Sequence, residues 1–195
     1  MIIDYSVDSK SYKENILDYK GIFHWECPTC GAKHSLIRHA TYQRNLISFR
    51  EGILVEESLC ILRLKCNSCI HTHAILPFDV IPFSIYSGVT ILTICSMVLL
   101  GGLSPEKVCE DLPLSYQLVY GFLKLLLLFH SEITLFLRHF HEWNAAFSPT
   151  PKDVLYRFQG FSPSRKFFQN YLYYHRSPLF LKRNCSSTYP FWIGF

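Results

Sequence analysis

Charge is scarce in this 195-residue chain, and it is unevenly placed. No Asp, Glu, Lys or Arg occurs between Val80 and Pro105, and beyond Glu142 the only acid is Asp153. Chemistry that holds two metal ions on carboxylates therefore has a single candidate ligand in the last quarter of the chain. A Gly-rich phosphate loop, a Gly-x-Ser-x-Gly elbow and a His-Glu-x-x-His helix are missing as well. The opening stretch MIIDYSVDSKSYKENILDYK lacks the basic start and apolar core of a secretory signal, so a cytoplasmic location is expected. Disorder is not expected either: 49% of residues are hydrophobic and 16% aromatic, and nothing is of low complexity. The length suits one domain of ordinary size or two small ones.

The formal charge of +4 hides an asymmetry. Residues 1–150 hold 12 Lys and Arg against 14 Asp and Glu, whereas residues 151–195 hold seven cations against Asp153 alone. Such a basic end suggests a polyanionic partner.

Eight cysteines would permit disulfides, but two pairs have the spacing Cys-x-x-Cys, which in an intracellular chain favours a metal. Cys27-Pro28-Thr29-Cys30 and Cys66-Asn67-Ser68-Cys69 are the strongest signal present. Each tight turn aims two thiolates at one point, and Gly31 suits the backbone twist after the first pair. Four thiolates make a closed tetrahedral site for one structural Zn2+, with no open position for catalysis. His71 and His73 behind the second pair, and His24, His34 and His39 around the first, are alternative ligands. A redox or disulfide role is disfavoured because no βαβ pattern surrounds the motif. Cys60, Cys95, Cys109 and Cys185 read as small buried hydrophobes rather than as nucleophiles paired with histidine.

Between the two pairs, residues 34–50 and 53–65 are rich in β-branched and aliphatic side chains, with Glu51-Gly52 as a turn, and residues 70–76 supply a further strand. Cys60, Leu62 and Leu64 alternate with Ile61, Arg63 and Lys65. One face is therefore expected to pack while the other offers Arg63 and Lys65 to phosphates or to solvent.

The uncharged run from Val80 to Pro105 is long enough to raise a membrane reading, but Pro82 and Gly101-Gly102 confine its helical part to residues 84–100. Ser104-Pro105-Glu106 opens a short helix through Leu112. Pro113-Leu114-Ser115 then stops it and caps a longer helix from Tyr116 to about Phe129, with room to run to Phe140. Helix, Gly-Gly turn, short helix, tight turn and longer helix is the order of a helix-turn-helix. Ile91, Leu92, Cys95, Leu99, Val108, Cys109, Leu112, Val119, Phe122 and Leu123 form its expected core. Ser115, Tyr116, Gln117, Tyr120 and Lys124 are the expected DNA contacts. The rival reading is a plain helical core, since one lysine in the first three turns is little charge for a recognition helix.

Residues 148–165 read as a linker around a short helix, and the end of the chain interleaves aromatics with cations. Phe167, Phe168, Tyr171 and Leu172 fall at helical spacing and are expected in the core, while Arg165 and Lys166 are assigned to nucleic acid.

CPTCG, then RLKCNSC, HTHAILPFDVIPFSIYS and GLSPEKVCEDLPLSYQLVYGFLK resemble an uncharacterised bacterial family of transposon-associated proteins. That family joins a zinc ribbon to a helix-turn-helix, much like the N-terminal DNA-binding part of insertion-sequence transposases. The resemblance spans roughly residues 20–130, with THAILP its most specific element. It implies a bacterial cytoplasmic DNA-binding role with Cys27, Cys30, Cys66 and Cys69 as metal ligands. One departure is Ile70, where a glycine often follows the second cysteine pair.

The expected architecture is α+β: an N-terminal segment (1–20), a four-cysteine zinc ribbon built on a small antiparallel sheet (21–79), a helix-turn-helix region (80–145), and a linker with a basic aromatic tail (146–195). The expected function is non-catalytic, zinc-dependent binding of double-stranded DNA in connection with a mobile element, with room for recognition and none for a transposase catalytic domain. The apolar helices also allow a homodimer. The alternative is a membrane-associated or protein-binding zinc adaptor.

Overall fold

The computed structural model describes residues 1–4, 6–15, 25–140, 142–144, 146–161, 165–175, 177–181 and 192–193. At Asn15, Arg165, Trp192 and Ile193 it describes the backbone alone. The chain is α+β, and its central feature is a long hairpin of β2 (Leu36–Arg50) and β3 (Ile53–Cys66). Glu51 and Gly52 join the strands at φ of 50° and 88°, the mirror-image turn whose twist matches that of a tight hairpin. Pairing runs from Arg50 opposite Ile53 to Leu36 opposite Cys66, with a register shift between Arg38 and Ala40. The two cysteine pairs are thereby carried to the open end of the hairpin.

β4 (Thr72–Pro77) pairs antiparallel with β3 over Arg63–Lys65. The sheet is nevertheless mixed rather than simply antiparallel. β1 (Ile2–Asp4) lies parallel to β4, and the two-residue β5 (Trp192–Ile193) lies parallel to β1, giving the order β2-β3-β4-β1-β5. A three-residue strand has no period to read, so its place came from pairing that the sequence pattern does not carry. In α1 (Ser9–Asn15), Tyr12 is fully buried; its hydroxyl donates to the Ile75 carbonyl at 3.0 Å and accepts from the Leu62 N–H at 3.0 Å. It bridges β3 and β4 just where their own ladder ends. The expected alternation on β3 is corrected here: Ile61, assigned to the cationic face, is fully buried in one cluster with Tyr12, so that face begins only at Arg63.

Two apolar clusters meet at β1, where Ile2 belongs to the sheet-side cluster and Ile3 to the helical one, as alternation along a strand requires. The helical cluster is built on α2 (Gly88–Leu99), α3 (Pro105–Asp111) and α4 (Tyr116–His139), capped by the hydroxyls of Ser87, Ser104 and Ser115. α2 starts four residues later than expected because the preceding chain is drawn onto β2: the Ile47 N–H donates to Ile85 and the Ser87 N–H donates to Ile47. At 12 residues α2 falls short of the ~20 that span a bilayer, and most of it is buried. Seven of the ten expected core residues are buried, with Leu99, Cys109 and Leu123 at the margin of the cluster.

Residues assigned to a linker and tail form α5 (Pro151–Gly160) and α6 (Arg165–His175), and their apolar side chains enter the same helical cluster. Thr150 and Asp153 close a reciprocal capping box at the start of α5. Phe136 of α4 is fully buried and meets Phe167 and Tyr171 of α6 edge to face at 5.3 and 5.5 Å. Phe167, Phe168, Tyr171 and Leu172 are buried, as their helical spacing implied, while Tyr156 and Tyr173 are exposed.

Candidate metal centre

The turns before β2 and after β3 are built alike. In the first knuckle the Gly31 N–H donates to the Cys27 carbonyl at 2.8 Å, and the Cys27 N–H donates to Ala32 at 3.0 Å. In the second, the Ile70 N–H donates to Cys66 at 2.9 Å, and the Cys66 N–H donates to His71 at 2.9 Å. An isolated bridge between Glu26 and Lys33 fastens the first knuckle, and the Asn67 N–H donates to the Ser35 carbonyl, tying the second knuckle to the first.

The Sγ atoms of Cys27, Cys30, Cys66 and Cys69 all lie within 4.8 Å of one another. Cys27 and Cys69 are 3.6 Å apart, and Cys30 and Cys66 are 3.7 Å apart. A tetrahedral ion at about 2.3 Å from each sulfur requires sulfurs about 3.8 Å apart, so the donor set fits one metal ion without rearrangement. None of these distances is that of a disulfide, which needs about 2.05 Å.

The four thiols do not ionise alike. Burial opposes ionisation of Cys66, yet Ser35 Oγ at 3.2 Å and the N–H groups of Ser68 and Cys69 bring its pKa down to about 6. Cys69 is pushed up to about 12: the His71 N–H favours its thiolate, but burial and the three other sulfurs outweigh that donor. One thiolate forms easily and the last does not, the expected behaviour of four acids crowded within contact of one another.

His73, weighed from sequence as an alternative ligand, occupies a different role. It is buried, its Nε2 lies 3.4 Å from Cys27 Sγ, and its Nδ1 lies 3.4 Å from the Met1 amine. Burial, then the neighbouring amine, lowers its pKa to about 4, so it stands neutral beside the thiol it contacts. His71 is exposed with Nδ1 3.0 Å from the Cys69 carbonyl, His34 and His39 are exposed, and His24 lies outside the described residues.

The expected DNA contacts fall in three places. Arg63 is exposed and donates to Thr72 Oγ1 at 2.7 Å, and Lys65 beside it is half-buried. Ser115, Tyr116, Gln117, Tyr120 and Lys124 are exposed on the first turns of α4, where positions 116, 120 and 124 share one stripe. Lys166 is exposed on α6, while the side chain of Arg165 lies outside the described residues. The start of α4 has acidic neighbours: desolvation, then the charges of Glu106 and Glu110, hold the Tyr116 phenol above its ordinary value. Lys107 is taken up by Glu110 at 3.3 Å and Asp111 at 3.0 Å. Farther along α4, Leu127, Leu128 and Leu135 are each more than half exposed. It is the one helix among the described residues long and apolar enough to cross a membrane, a test that core helices of soluble proteins also pass.

At the other end of the hairpin a cavity of about 400 Å3 includes Lys10, Arg50, Glu51 and Asp79 in its lining. Asp79 is buried and accepts from the Ser9 N–H at 2.9 Å and the Ser9 hydroxyl at 2.6 Å. Burial pushes its pKa up to about 6 against those two hydrogen bonds. A lone Asp after PF in the sequence gave no sign of this pairing across the fold.

No curated protein and no solved structure matches the chain. Over residues 27–110, from the first clustered cysteine to the end of α3, the chain is similar to a family described as a domain of unknown function (DUF6431).

Proposed function

We propose that this is a zinc-dependent, non-catalytic DNA-binding protein, in which Cys27, Cys30, Cys66 and Cys69 hold one structural Zn2+ and the metal end of the hairpin engages the phosphate backbone. The observation that carries the reading is charge placement. Residues 25–40 and 60–77, which carry the four thiols and the strand ends beside them, contain Lys33, Arg38, Arg63 and Lys65 against Glu26 alone. The zinc supplies folding energy rather than chemistry, because four protein thiolates leave it no open position.

Helices α2 to α4 are proposed as a helix-turn-helix with α4 as the reading helix, Gln117 and Tyr120 meeting base edges. Because Glu106 and Glu110 surround its first turn, phosphate attraction is assigned mainly to Arg63 and Lys65. Service to a mobile element rests on the resemblance to the N-terminal part of insertion-sequence transposases. A second reading, an adaptor that meets a protein or lipid through α4, is favoured by the exposed Leu127, Leu128 and Leu135.

The test is metal analysis of the purified chain together with duplex DNA binding across a salt series. One zinc per chain and affinity falling steeply with salt support the first reading. Solubility only in detergent, with no DNA binding at any salt, sinks it in favour of the second.

A further inference from the structure

Ile70 is out of place by ordinary rules. It closes the second knuckle at φ of +65°, a conformation costly for a β-branched residue, and 60% of it is exposed. Gly31 closes the first knuckle with the same hydrogen bond at φ of +71°, where a side chain would meet nothing within 4 Å. A glycine at position 70 would remove the backbone strain and the exposed apolar surface together, while the knuckle's hydrogen bonds would be unchanged. Strain of this kind that the local fold does not need points to a contact made by the side chain.

The surroundings identify the partner's chemistry. The carbonyl that accepts the Ile70 N–H belongs to Cys66, which directly follows Lys65, and Arg63 lies two residues before Lys65 on β3. The nearest acid in the hairpin's metal end, Glu26, is neutralised by Lys33 at 3.1 Å. An exposed apolar side chain on the knuckle that ends a strand bearing Arg63 and Lys65 fits a polyanion that also has apolar surface between its charges, which describes the bases of duplex DNA between phosphates. We propose that Ile70 is the apolar base-contacting residue of the metal knuckle, seated in a DNA groove while Arg63 and Lys65 hold flanking phosphates. This inference rests on the DNA-binding reading above.

The test compares the zinc-loaded full chain with Ile70→Gly, Ile70→Asn and Arg63→Ala, measuring affinity for a short mixed-sequence duplex against salt and zinc content in the same samples. Asn tolerates the left-handed conformation, so both Ile70 variants should keep their zinc. They are expected to bind about five- to tenfold more weakly at every salt concentration with an unchanged salt slope, because burial of apolar surface releases no counterions. Arg63→Ala should instead flatten the slope by about 0.9. If the wild type binds with a steep slope and both Ile70 variants match it, this inference falls and the DNA-binding reading stands. If the wild type does not bind duplex DNA, both fall, and a partner such as an acidic protein surface takes their place.

Discussion

Gly31 and Ile70 occupy the same station in two knuckles of one metal centre, each donating its N–H to the carbonyl of the first cysteine and each at positive φ. The left-handed conformation costs an L-residue ~1–2 kcal/mol, and glycine gives back part of that through its freer unfolded chain. Ile70→Gly is therefore expected to stabilise the zinc-loaded protein by about 0.5–1 kcal/mol, and Gly31→Ile to destabilise it by ~1–2 kcal/mol. Urea unfolding in zinc-buffered solution checks both. Equal losses in the two variants would mean that the shared geometry does not set the energetics.

What could be read from the sequence was whatever depends on neighbours in the chain. Glu51-Gly52 marked the hairpin turn, Ser104 and Ser115 marked helix starts, and Val108, Leu112, Val119 and Phe122, named as core of the helical region, are buried. The four clustered thiols followed from spacing alone. What escaped depends on partners far along the chain. β1 is held by pairing with β4, Ile61 is covered through Tyr12, and Asp79 reaches back to Ser9. His73 could be placed near the metal from sequence, but whether it binds the ion or the sulfur depends on which way β4 presents it.

His73 contacts Cys27 through Nε2 and stands where it can fix the orientation of that sulfur and offset its charge. Groups that hydrogen-bond a metal ligand typically contribute ~10- to 100-fold to metal affinity. His73→Phe keeps the volume, removes both ring nitrogens, and is expected to weaken zinc binding by about that factor while leaving four thiolate ligands. Competition with a chromogenic chelator gives the number. An unchanged affinity would reduce His73 to packing.

Asp79 supplies a pH signature independent of the metal. Its folded pKa of about 6 lies above the ordinary 3.8, so the folded chain holds a proton that the unfolded chain has released. The associated stability is complete below the ordinary value and is lost as pH rises through about 6, with a magnitude on the order of 3 kcal/mol. Asp79→Asn can still accept from the Ser9 N–H and carries no charge to desolvate. Relative to wild type, the variant should gain stability between pH 4 and 6.5 by about that amount and hold the gain above it. The zinc site is common to both proteins and cancels in the comparison. A stability difference that does not vary with pH would show that Asp79 ionises in the folded chain as freely as in water.

Metal removal should divide the molecule along its two clusters. Cys27 and Cys66 are themselves members of the sheet-side cluster, with Trp25 buried beside them, whereas the helical cluster contains none of the four thiols. Without the ion, the crowded thiols repel as they ionise, and the hairpin end loses what closes it. The helices keep a separate core centred on Phe136, with its edge-to-face contacts to α6. A strong chelator at neutral pH is therefore expected to expose Trp25, seen as a red shift in emission, while the helical circular dichroism at 222 nm is largely retained. Cys66→Ser should reproduce this state without chelator, and Cys95→Ser, at a buried thiol remote from the cluster, should not. Coincident loss of both signals would show that the two clusters fold as one unit, and loss of neither would show that the metal is not structural.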